Sequence, residues 1–251
     1  MLRSLKELLG YQLLARGGHI GKVHNFLFND EDWRVRYMVV DTGPWILGRK
    51  VLISLDALGQ PVWASETFPV DLTRKQVETS PDVDLAKPVS RKYEEELHRH
   101  YNWLHYWSLS TALPGNPTYV PPHLFDVPDK SIDENEDEFH LRSTKELLEY
   151  QVNAIDGEIG SLIDFIVDDE NWQIRYMVLN ASNLDVEKQA LVALEWIEDI
   201  DVSMKEVLIK LKKDAIRFSP PFDPSLPINH QYEEVLYDYY GRPKHWAVVE
   251  K

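Results

Sequence analysis

The chain repeats itself. Leu2-Arg3-Ser4-Leu5-Lys6-Glu7-Leu8-Leu9 returns 139 residues later as Leu141-Arg142-Ser143-Thr144-Lys145-Glu146-Leu147-Leu148. The same offset lays Gly18-x-Ile20-Gly21 on Gly157-x-Ile159-Gly160, and Trp33-x-Val35-Arg36-Tyr37-Met38-Val39 on Trp172-x-Ile174-Arg175-Tyr176-Met177-Val178. It still holds at Ser80-Pro81 and Ser219-Pro220, at Tyr93-Glu94-Glu95 and Tyr232-Glu233-Glu234, and at Trp107 and Trp246. No gap is needed and about thirty positions are identical, which makes the chain a tandem duplication. Of its 251 residues, 1–112 form the first repeat and 140–251 the second, each of single-domain size. Residues 113–139 differ in kind. Pro114, Pro117, Pro121, Pro122 and Pro128 stiffen the segment, and Asp133-Glu134-Asn135-Glu136-Asp137-Glu138 repels itself, so an extended linker is expected.

Charge is divided unevenly. The first repeat carries 14 basic and 14 acidic residues, the linker 1 and 7, and the second repeat 12 and 21, giving the net charge of −15. Such an excess repels phosphate backbones and anionic membrane surfaces, so direct nucleic-acid binding is not expected. The different surfaces of the repeats suggest a division of roles; neutral drift after duplication gives the same picture. The absence of Cys removes thiolate metal sites and thiol nucleophiles. No apolar run approaches the ~18 residues of a spanning helix. The start, Met1 to Glu7, has no secretory apolar region, and a cytoplasmic protein is expected.

Periodicity assigns most elements. In the first repeat, Tyr11–Ala15, His19–Asn29, Val35–Asp41, Lys50–Ser54 and Thr67–Leu72 read as strands separated by Gly or Asn/Asp turns, with a bend allowed at Gly21. A short polar helix is expected over Thr73–Thr79. Then the period changes: Tyr93, Leu97, His100, Tyr101 and Leu104 fall at helical spacing, as do Tyr232, Leu236, Tyr239 and Tyr240. Short amphipathic helices are therefore expected over Ser90–Tyr101 and Asn229–Tyr240, within a mainly β chain of two small barrels or sandwiches.

The run Gly18 to Val23, followed by Phe28 to Gly43 and Trp45 to Ser54, resembles the PRC-barrel family, represented by the barrel domains of the photosynthetic reaction-centre H subunit and the ribosome maturation factor RimM. The resemblance covers both repeats. It implies a small, strongly bent antiparallel β-barrel of about six strands in each repeat, to which the periodicity adds a short C-terminal amphipathic helix. It also implies a non-catalytic interaction or adaptor module with a protein partner. A ribosome-linked accessory role, and a small-ligand site between the repeats, are the alternatives. Neither the membrane helix of the H subunit nor the N-terminal domain of RimM is expected in this protein.

Several residues stand out beside that resemblance. Gly18, Gly21, Trp33, Arg36 and Tyr37, with Gly157, Gly160, Trp172, Arg175 and Tyr176, form the repeated motif and read as structural. A guanidinium at Arg36 or Arg175 could hold an anion or pair with a nearby acid. Asp41, Trp45, Arg49 and Lys50 surround one loop. An exposed Trp beside basic residues has interaction hot-spot composition, while a Trp covering the end of a hairpin has the same sequence. The second repeat replaces Gly48, Arg49 and Lys50 by Glu187, Lys188 and Gln189. The aromatic tails, with Tyr101, Trp107, Tyr240 and Trp246, exceed what a small barrel can bury alone and are expected to contact the other repeat. Catalytic and nucleotide-binding motifs are absent, and the paired carboxylates lie in solvated runs. No enzyme activity, metal or cofactor is therefore expected; self-association is left open.

Overall fold

The computed structural model describes residues 1–85, 87–109, 140–184, 188–244 and 246. The first repeat forms β1 (Leu2–Ser4), β2 (Gln12–Arg16), β3 (Gly18–Asn29), β4 (Val35–Asp41), β5 (Lys50–Ser54) and β6 (Thr67–Thr73), then α1 (Arg74–Glu78), α2 (Arg91–Tyr101) and α3 (Tyr106–Leu109). The second forms β7 (Leu141–Ser143), α4 (Thr144–Leu147), β8 (Gln151–Ala154), β9 (Gly157–Asp168), β10 (Ile174–Asn180), β11 (Gln189–Ala193), β12 (Ile197–Asp201) and β13 (Glu206–Ile209), then α5 (Lys213–Arg217) and α6 (His230–Tyr240). Strands β4 and β5 coincide with the residues that alternation and β-branching assign to them.

The expectation of two closed antiparallel barrels is overturned. One sheet runs β11-β10-β9-β8-β13-β12 with β1 beside β9; the other runs β5-β4-β3-β2-β6 with β7 beside β3. Neither path returns to its start, and the second is an open half-barrel with a 9 Å gap. Between β5 and β6 lie helical turns and single bridges, Leu58 to Val70 and Val62 to Thr67, where closure would require a continuous ladder. Two pairings, β2 with β6 and β8 with β13, are parallel. The fold is mixed rather than mainly β, with 26% helix and 40% strand, and the helices are scattered instead of standing one at the end of each repeat.

The bend in the long strand has a local cause. A Cβ on Gly160 would lie 1.9 Å from the carbonyl oxygen of Asn180, and its φ of +154° is a conformation side chains avoid. Without that side chain, β9 crosses close over β10, and its register with β8 slips between Val152 and Asn153. Gly21 is placed equivalently, its missing Cβ 2.3 Å from the Asp41 carbonyl oxygen.

The chain divides into two compact units. The first comprises Met1–Gly10, Val23–Met38 and Ser143–Lys251; the second comprises Tyr11–Lys22 and Val39–Arg142. Within the first unit the two repeats are interleaved. Strand β1 adds to β9, with Leu2 opposite Asp168 and Ser4 opposite Ile166. Two hairpin tips also exchange hydrogen bonds. The Val35 N–H donates to the Trp172 carbonyl at 2.9 Å, and the Ile174 N–H to the Trp33 carbonyl at 3.0 Å. These are equivalent positions, so the contact is reciprocal, as in a two-fold dimer interface. Trp33 and Trp172 both sit in the left-handed region, φ 57° and 59°. Phe28 packs on Trp33 at 5.1 Å and on Phe165 at 5.9 Å, while Phe26 packs on Trp172 at 6.4 Å. In the second unit, Leu13, Ile20, Leu52, Ile53 and Phe68 are buried along the strands, and Leu97 is buried on α2.

Candidate functional site

The first unit carries a groove of about 510 Å³ on its surface. Leu2 and Ser4 of β1, with Lys6 and Glu7 after it, form one side; Ile163, Asp164 and Ile166 of β9 and Val178 of β10 contribute the sheet. The opposite wall is the segment Phe222 to Ile228, which contains Pro224 and Pro227. The segment has no regular element: it turns over Pro224 and Ser225, where the Leu226 N–H donates to the Asp223 carbonyl at 3.1 Å, and its prolines fix φ on either side of Leu226. Leu226 at its tip is 63% exposed, a large apolar side chain held at the mouth of an apolar groove.

One carboxylate faces this apolar lining. Asp164 accepts hydrogen bonds from the Ser4 hydroxyl, from the Lys6 N–H at 3.0 Å and from the Phe165 N–H at 2.7 Å. Burial pushes its carboxyl above the ordinary Asp range, and those donors together with the Lys6 charge only partly offset this. The other repeat performs the same task with a neutral group. Asn25, the equivalent of Asp164, donates to the Ser143 hydroxyl at 2.7 Å and accepts from the Thr144 hydroxyl at 3.0 Å and the Lys145 N–H at 3.1 Å. An amide therefore suffices to hold the incoming segment. The ionisable group in the second repeat goes beyond that structural requirement.

The loop singled out in the sequence is arranged differently. Asp41 accepts from the Gly43 N–H at 2.9 Å, within its own turn. Arg49 donates to the Glu78 and Ser80 carbonyls and pairs with Asp82. Its counterpart Lys188 donates to the Ile216, Arg217 and Ser219 carbonyls. Both cations thus cap the C-terminal end of the short helix in their own repeat, where free carbonyls favour positive charge. Trp45 lies beneath the Arg74 guanidinium, 4.3 Å from ring centre to carbon. Lys50 is half-buried at the start of β5. Leu47, at the loop tip, is 98% exposed.

The tail aromatics seat on their own helices. Trp107 lies under the Arg91 guanidinium at 4.3 Å and against His98 at 5.0 Å. Trp246 lies against His230 at 4.8 Å and Tyr237 at 5.1 Å, the two equivalent positions. Tyr101 stacks on Trp103 at 4.2 Å, and Tyr240 packs on Trp196 at 4.6 Å. Of the motif residues, Tyr37 and Tyr176 are fully buried, and Gly18 and Gly157 take positive φ at the starts of β3 and β9. Arg36 pairs with Asp32. The groove brings together none of the sequence candidates. Its signals were the Asn25-to-Asp164 exchange between repeats and the proline-spaced apolar run after Ser219.

No protein-family model matches the chain, and no curated protein matches it. The open sheets also remove the structural basis of the PRC-barrel resemblance. The reaction-centre analogy, the adaptor role drawn from that family and the ribosome-linked alternative fall with it. Among the described residues, no helix is long and apolar enough to cross a membrane, and no group of three potential ligands is placed to hold a metal ion.

Proposed function

We propose that this is a non-catalytic binding protein whose groove receives an apolar segment of a protein partner carrying a lysine or arginine. The supporting observation is Asp164. A carboxylate is retained against an apolar lining, at an electrostatic cost, where Asn25 shows that an amide satisfies the structure. A partner's cation restores to that carboxylate what burial takes away, and Glu7 on the rim adds to the attraction. Apolar partner side chains find Ile166, Val178 and Leu226. The open, proline-walled shape suits an extended segment better than a fully enclosed small molecule. The acidic excess of the second repeat favours a basic partner.

Panning a randomised peptide library against the full chain tests this reading. Peptides with apolar residues around a Lys or Arg should be enriched, and Asp164→Asn should weaken their binding by about tenfold. Failure of any sequence to enrich, or equal binding by the variant, would contradict it.

A further inference from the structure

A second, smaller pocket of about 210 Å³ lies in the same unit, lined by Trp33, Gln173, Arg175, Tyr176, Glu195 and Tyr237 among others. It is separate from the groove and does not depend on the function proposed for it. Its cation differs from the same residue in the other repeat. In the first repeat, Asp32 uses one carboxylate oxygen to accept the Arg34 N–H at 3.0 Å and the other to bind the Arg36 guanidinium. In the second repeat that position is Asn171. Its Oδ1 keeps the turn by accepting the Gln173 N–H at 2.9 Å. The remaining atom is an amide nitrogen, a donor, which cannot accept from a guanidinium. Arg175 therefore lacks the partner that holds Arg36, and among the described residues its guanidinium forms no ion pair or hydrogen bond.

The surroundings of that guanidinium are specific. The Tyr176 hydroxyl donates to Glu233 at 2.6 Å, and the Tyr237 hydroxyl bonds to the exposed Glu195 carboxylate. Trp33 and Tyr237 supply aromatic walls. A half-buried Arg with no ion-paired acid among the described residues favours a planar carboxylate, which it can grip with two parallel N–H bonds. Glu195 in the same pocket repels a dianion such as phosphate and attracts an ammonium group. At about 210 Å³ the pocket is smaller than the ~300–1,000 Å³ of sites for drug-sized ligands, which suits a small solute rather than a nucleotide. We propose that this pocket binds a free α-amino acid, with Arg175 on its carboxylate, Glu195 on its ammonium group and Trp33 with Tyr237 against its side chain.

Titration calorimetry on the full chain with glycine, leucine, glutamate, acetate and inorganic phosphate tests the assignment. At least one amino acid should saturate the protein, and acetate and phosphate should bind about tenfold more weakly or not at all. Two variants locate the site. Arg175→Gln removes the anchor, and Asn171→Asp re-creates the acid that occupies Arg36 in the first repeat. Both should weaken binding by about tenfold or more. Asn171→Asp keeps the turn bond that Asp32 makes, so it decides the question if Arg175→Gln proves unstable. No saturation by any amino acid below roughly 10 mM, phosphate or acetate binding as tightly as the amino acids, or unchanged binding by Asn171→Asp would overturn the proposal.

Discussion

Asp164 and Asn25 occupy the same place in the two repeats and secure the same neighbours with different chemistry. The difference has a consequence for stability. Burial raises the Asp164 carboxyl above its ordinary value, so the folded chain holds that proton more tightly than the unfolded chain. Stability from this group is lost as pH rises through the ordinary carboxylate range near ~4 up to the raised value, and the full cost is present at neutral pH. Asp164→Asn should therefore stabilise the protein at pH 7 by about 1 kcal/mol, with the gain disappearing as pH falls toward ~4. Urea unfolding at several pH values measures this, and a variant less stable than the parent at pH 7 would contradict the assignment. At this scale the sequence was partly legible. The bend allowed at Gly21 was legible, because a Gly inside a long alternating strand permits one, whereas the close approach to the Asp41 carbonyl oxygen was not. The left-handed backbone at Trp33 and Trp172 was not legible, since nothing in a Trp residue favours that conformation. The basic character of Arg49 suggested an interaction loop; its contacts with the Glu78 and Ser80 carbonyls of its own repeat were not legible, since they join residues about thirty apart.

The elements themselves followed from local pattern. Alternation and β-branching located β3 to β5, and Ser90 and Asn229 cap α2 and α6 by accepting the Tyr93 and Tyr232 N–H groups. Local pattern carries no information on sheet closure, which depends on distant edges, so the barrels expected from it did not form. The N-terminal strand was missed for the same reason: Leu2–Ser4 is too short to stand out and exists as a strand only through its pairing with β9. Helix α2 carries its own pH dependence. His98 is buried on it, with Nδ1 bonded to the Leu104 carbonyl at 2.8 Å, and burial, with the neighbouring His105, lowers its pKa to about 4. Unfolded, the imidazole takes a proton near ~6.5; folded, it does so only near the lowered value. Stability is thus intact above ~6.5 and falls as pH drops toward 4, by up to about 3 kcal/mol. The burial of His105 shifts it in the same direction. Denaturation midpoints should fall between pH 7 and pH 4.5, with a shallower fall in His98→Gln; an equal slope in that variant would assign the effect elsewhere.

For the molecule as a whole, duplication was plain in the sequence, but the manner of joining was not. The aromatic tails seemed surplus to small barrels and so fit for an interface. Trp107 and Trp246 occupy matching seats on α2 and α6, and the first strands and hairpin tips join the repeats. Those contacts are reciprocal at Val35 and Ile174, and at Asn25 and Asp164. They place β1 of one repeat along the sheet of the other and so build one side of the groove. The groove, and the binding function proposed for it, depend on this interlocking. A specific protease site introduced within residues 113–139 tests it most directly. After complete cleavage, native mass spectrometry and size exclusion should find the two fragments in one complex of undiminished mass, parting only when the protein unfolds. Two fragments that separate under native conditions, each stably folded by itself, would contradict the account.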